Sequence, residues 1–142
     1  MIIAFIFSSF SIIEKTYAET KTFETRITLG NENEERLTDG YLSSSSSDID
    51  LGEDNNTAHT PQITGFRFPV AIPKNALIKN AYIQFTARLV NTESTSLIIN
   101  GEAIDNAPGF INGITHNLSL RTKTMATVIW NDVPAWNLVG ER

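Results

Sequence analysis

The chain has 142 residues, 16 acidic against 11 basic side chains for a formal net charge of −5, and no cysteine. One domain with a real core fits that length. The acid excess argues against nucleic acid as a partner, since phosphates call for a basic face, and zero cysteines excludes disulfide staples and thiolate chemistry.

In chain order, residues 1–13 (MIIAFIFSSFSII) are almost wholly apolar, Glu14 and Lys15 follow, and Thr16-Tyr17-Ala18 presents small residues at the two positions a signal peptidase reads. This is the outline of a secretory signal cleaved after Ala18. No Lys or Arg precedes the apolar run, so an uncleaved anchor or a misplaced start is the competing reading. The run falls short of the roughly 20 residues that a membrane span needs. The expectation is export, with residues 19–142 as an extracellular or cell-surface module and no membrane insertion after cleavage.

Residues 22–29 alternate Phe23, Thr25, Ile27 and Leu29 against Glu24, Arg26 and Thr28, which predicts a strand. The segment 30–56 is polar and acidic. Eight of the 16 Asp and Glu lie between Asn31 and Asn56, with Arg36 the only base. It holds the serine run 43–47, read as polar strand or loop, and a short strand candidate at 48–51. Residues 62–68 and 78–89 are the clearest strand pair. In the second, Ala81, Ile83, Phe85, Ala87 and Leu89 fall on one face, and Asn80, Tyr82, Gln84, Thr86 and Arg88 on the other. Pro73 and Lys74-Asn75 mark the corner between them.

Further strands are expected at 96–102 and 124–130, the latter rich in β-branched residues and broken by Asn131-Asp132-Val133-Pro134. A short one is placed at 117–120. Residues 105–113 (DNAPGFING) must be loop. Several short strands without helical periodicity predict an all-β sandwich. Only six or seven candidates precede the chain end, where a two-sheet jelly roll uses about eight, so the sandwich is expected to be incomplete at its C-terminus.

The ordered set NENEE at 31–35, SSSD at 45–48, GFRF at 65–68, IPKNALIKNAYIQF at 72–85, LIINGE at 97–102, DNA at 105–107 and VIWNDVPAW at 128–136 resembles one bacterial extracellular domain type. It is similar to the DNRLRE-type jelly-roll modules, themselves related to a carbohydrate-binding module family. The resemblance covers nearly all of residues 22–140. It implies a jelly-roll-like antiparallel β-sandwich within a larger multidomain secreted or surface protein, beside adhesive or polysaccharide-related modules. Family members continue beyond the segment matching VPAWNLVGE, and they carry more Gly and Thr where this chain has KNA and LIIN.

Two constellations carry candidate chemistry. Glu35, Asp48, Glu102 and Asp105, with Glu34, Asp50 and Asn106 nearby in sequence, supply the hard oxygen ligands that calcium prefers. No D-x-[DN]-x-[DN]-G loop is present, so the competing reading is a solvated acidic face. Tyr82 and Trp136 are the stacking candidates for a sugar ring, with Tyr41 a third and with Gln84, Asn80 and Arg88 as hydrogen-bond partners. Rim packing is the alternative for each aromatic, and Trp130, ending an apolar strand, reads as core.

Catalytic signals are sparse. His59 and His116 are the only histidines, and no G-x-S-x-G elbow occurs. Asn117-Leu118-Ser119 matches a glycosylation acceptor. The expectation is a non-catalytic module that binds a polysaccharide or cell-surface glycan or mediates adhesion, stabilised by calcium. A structural spacer of a large surface protein is the competing class, and a polysaccharide-acting enzyme the third.

Overall fold

The computed structural model describes residues 19–27, 32–43, 48–54 and 59–142; the expected signal segment and most of the serine run lie outside them. No helix forms among the described residues. Six strands do: β1 Glu32–Arg36, β2 Leu42–Ser43, β3 Glu53–Asp54, β4 Thr60–Phe66, β5 Thr95–Glu102 and β6 Lys123–Val133. The protein is all-β, with one antiparallel sheet in the order β2-β1-β4-β3 and a second antiparallel pair, β5-β6.

The strand that organises the first sheet is the least strand-like in sequence. β1 reads Glu-Asn-Glu-Glu-Arg, yet Asn33, Glu34 and Glu35 are all buried. It pairs with β4 along its whole length, from Glu32↔Phe66 to Arg36↔Gln62, and with β2 on its other edge. Both edges are thus hydrogen-bonded, and both faces are used, because alternate side chains point opposite ways. On one face the Glu34 carboxylate accepts the Asp50 N–H. On the other, Glu35 is fully buried, and its Oε2 accepts the Leu118 N–H at 2.6 Å while Oε1 accepts the Ser119 N–H at 3.2 Å. A buried carboxylate is tolerable only when donors satisfy it, and here two backbone amides do. Leu118, one of three buried apolar residues among those described, with Leu42 and Ala87, sits over Gly65, where an added Cβ would lie 2.7 Å from the leucine and 3.0 Å from the Phe110 ring.

The second sheet joins strands twenty residues apart in sequence. Leu97↔Trp130, Ile98↔Ile129 and Ile99↔Val128 form its apolar centre, with register shifts towards both ends. One shift lies between Thr95 and Leu97, opposite Asp132, whose φ of 51° fits a bulge that lets the ladder run on to Val133. The intervening loop is held by Arg121. Its guanidinium donates to the Asn117, Pro108 and Gly109 carbonyls and to Glu102 at 2.9 Å, and it lies 5.0 Å from the Phe110 ring centre.

Several expectations need correction. Residues 78–89 form no ladder: Ala81 and Ile83 stay exposed, Leu89 is exposed, and only Phe85 and Ala87 turn inward. Alternation supplies a face, but a strand needs a hydrogen-bonding neighbour. Among the described residues only Ala87 and Asn91 find a backbone partner here, with Gly140 and Glu141 and with Trp136 respectively. The described part of 22–29 is not a strand either, residues 48–51 are bend and coil, and 117–120 is a turn. Conversely, Glu32–Arg36 and Glu53–Asp54 are strands inside the segment read only as polar and acidic.

Glu35→Ala should destabilise the fold by about 3 kcal/mol, because two amide donors lose their acceptor. Urea unfolding measures this, and an unchanged midpoint would show that the carboxylate is not holding the turn. Gly65→Ala should cost about 1–3 kcal/mol by pushing Leu118 and Phe110 outward, read in the same titration.

Candidate functional site

A broad trough of about 1940 Å³ is lined by parts of residues 19–27, 48–53, 66–91 and 133–136, together with Arg142. All four residues expected to contact a ligand line it: Tyr82, Gln84, Arg88 and Trp136. A smaller cleft of about 300 Å³ adjoins it, where Tyr82, Gln84, Trp136 and Pro134 meet Trp130 and Arg142.

The elements explain why these side chains converge. Trp136 is positioned by its backbone, which exchanges hydrogen bonds with Asn91 at 2.8 and 2.9 Å across an isolated bridge. Its side chain is half-buried. The segment carrying Tyr82 and Gln84 is tied down three to five residues later, where Ala87 donates to the Glu141 carbonyl and accepts from Gly140. Tyr82 itself is 86% exposed, so its ring and hydroxyl are open to solvent. Arg88 is paired with Asp48, which lines the same trough.

A line of rings leads into the cleft, and Phe85 and Trp130 line it. Phe66 lies 6.4 Å from Phe68 and 5.6 Å from Phe85, and Phe85 lies nearly parallel to Trp130, centroids 6.2 Å apart with 19° between planes. Trp130, read as core from sequence, is half-buried: it stacks on Phe85 and also borders the cleft. Sequence reasoning also missed Pro134 and Arg142 as wall residues. The signal for Pro134 was present, since it separates the two tryptophans.

Three of the four expected calcium ligands are engaged elsewhere. Glu35 accepts backbone amides, Asp48 pairs with Arg88, and Glu102 pairs with Arg121 at 2.9 Å. Asp105 is exposed. Among the described residues no group of three or more His, Asp and Glu is gathered so as to hold a metal. The two histidines are also apart in role. His59 Nδ1 is 3.0 Å from Glu53, and His116 Nδ1 is 3.9 Å from Glu35 and 3.3 Å from the Ser119 hydroxyl. In the glycosylation-like triplet, the Asn117 side-chain oxygen accepts from the Ile111 N–H and from Arg121, and Leu118 is buried. Tyr41, the third stacking candidate, lies outside the trough and under the Arg36 guanidinium at 4.8 Å.

No helix among the described residues is long and apolar enough to cross a membrane. Compared with protein-family models, with curated proteins and with solved structures, the chain matches none of them.

Calcium at Asp48 or Glu102 would have to displace Arg88 or Arg121. Millimolar calcium followed by chelator should therefore leave the melting temperature unchanged. A rise that the chelator reverses would reveal a folded-state ion site assembled from other oxygens.

Proposed function

We propose that this chain is a non-catalytic, secreted or cell-surface module that binds carbohydrate through the trough around Tyr82 and Trp136. The observation that carries the reading is the meeting of an exposed tyrosine, a half-buried tryptophan and the Gln84 amide in one cleft. A pyranose presents an apolar face to an aromatic ring and hydroxyls to amides, so this combination suits a sugar. Asn80, Asn91 and Arg88 add polar groups along the trough. The resemblance to DNRLRE-type modules agrees with the same reading, with the sandwich as scaffold and a larger surface protein as the setting.

A second reading, the structural spacer, draws on the β5-β6 pair. Ile98 and Ile129 face each other across the ladder and are 71% and 64% exposed, with Val128 also exposed. Apolar surface of this kind suits packing within a larger assembly.

Tyr82→Ala and Trp136→Ala separate the two. Each should weaken retention on insoluble or gel-embedded polysaccharides by roughly tenfold, which corresponds to about 1.4 kcal/mol for a lost ring contact. The urea midpoint of Tyr82→Ala should stay close to that of the parent, because the ring is exposed. A parent chain retained by no polysaccharide, or retention untouched by both substitutions, would leave the spacer reading in place.

A further inference from the structure

Three places in the chain put an aspartate or asparagine directly before glycine: Asp39-Gly40, Asn100-Gly101 and Asn112-Gly113. Glycine has no Cβ, so its backbone nitrogen can swing back onto the preceding side-chain carbonyl carbon. Sequence alone treats the three alike. The fold does not.

At the first pair, both carboxylate oxygens of Asp39 are held, Oδ2 by Arg36 at 2.8 Å and Oδ1 by the Tyr41 N–H at 3.0 Å. The Gly40 N–H donates to the Arg36 carbonyl at 2.9 Å. At the second pair, the Asn100 amide donates to the Ala126 carbonyl at 3.2 Å and the Thr127 hydroxyl at 2.8 Å. The attacking group is occupied too, since the Gly101 N–H donates to the Thr124 hydroxyl at 3.1 Å. Both residues lie in β5, where the ladder fixes their backbone.

The third pair is different on every count. Asn112 and Gly113 are both exposed and sit in a turn. Among the described residues neither the Asn112 amide nor the Gly113 N–H has a hydrogen-bond partner. Gly113 has φ +77°, and an added Cβ there would meet nothing within 4 Å. The turn is closed only around them, by the Ile114 N–H on the Ile111 carbonyl at 3.4 Å and by Ile111 on Asn117 at 3.2 Å.

We propose that Asn112 is a site of spontaneous deamidation and isoaspartate formation, singled out by the fold from the three candidate pairs. The Gly113 nitrogen gives its proton to solvent and bonds to the Asn112 Cγ. The Cγ–Nδ2 bond breaks, and ammonia leaves with a proton from water. Water then opens the cyclic imide at either carbonyl, leaving aspartate or isoaspartate at 112. No oxidant or second substrate is needed. The product adds one negative charge, and the isoaspartate form also lengthens the backbone of the turn that leads to Asn117 and the Glu35 clasp.

The test has an internal control, because trypsin releases residues 89–121 as one peptide carrying both Asn100 and Asn112. The full chain is incubated folded, in mildly alkaline buffer, and in parallel in urea. Isoaspartate is then labelled with an isoaspartyl methyltransferase and placed by electron-transfer fragmentation. In the folded chain the product should accumulate at Asn112 many-fold faster than at Asn100, and in urea the two rates should converge. Asn112→Gln should remove the folded-state signal. Equal rates at the two sites in the folded chain, or a signal that survives Asn112→Gln, would overturn the proposal.

Discussion

The Glu35 carboxylate is the constraint on which much of the arrangement rests. It is fully buried, and each of its oxygens accepts from a backbone amide of a turn more than eighty residues away. Glu34, one residue earlier and facing the opposite way, takes the Asp50 amide. The central strand of the first sheet therefore clasps a different loop on each face, using carboxylates where most strands would use apolar packing. Such a clasp is directional. It holds only while both amides are aimed at it, and it sets which turn covers which face more narrowly than an oily contact would.

From that clasp the placement of the loop between β5 and β6 follows. The turn at 115–120 belongs to the loop between β5 and β6, so fixing it on β1 also ties down the connection between the two strands of the second sheet. Arg121 gathers the same loop from its other side, through three backbone carbonyls and Glu102. A single guanidinium satisfying that many acceptors replaces a small core for a loop that has few apolar residues turned inward. The line of rings from Phe68 through Phe66 and Phe85 to Trp130 bridges from β4 to β6, and its last two members, Phe85 and Trp130, line the cleft where Tyr82 and Trp136 meet. Cleft and scaffold are thus continuous: Phe85 and Trp130, which help to join the two sheets, also line the cleft that Tyr82 and Trp136 border.

How far the sequence could be read differs from element to element. β4, β5 and β6 were legible within a few residues, because β-branched and aromatic runs bounded by turn formers state a strand locally. β1 was not, since Glu-Asn-Glu-Glu-Arg has no apolar period, and its burial depends on amides supplied from 50 and from 118–119. The error at 78–89 is the mirror image. Its alternation is clean, but Phe85 and Ala87 alone find cover, and no ladder forms without a partner edge. In the trough, Tyr82, Gln84, Arg88 and Trp136 were all named from sequence. Trp130 was assigned to the core, because an apolar strand does not say how deeply its last ring is covered.

The sequence by itself determined the all-β class, the loop at 105–113 and the set of aromatics and amides that make a ligand site conceivable. Those properties are local: they follow from side-chain type, spacing and turn chemistry. Tertiary structure alone decided which acids are structural, by setting amides and arginines against Glu35, Asp48 and Glu102. It also decided that one Asn-Gly pair is open while another is locked in a ladder. Both are decided by which groups meet across long separations, and no local pattern encodes the partner.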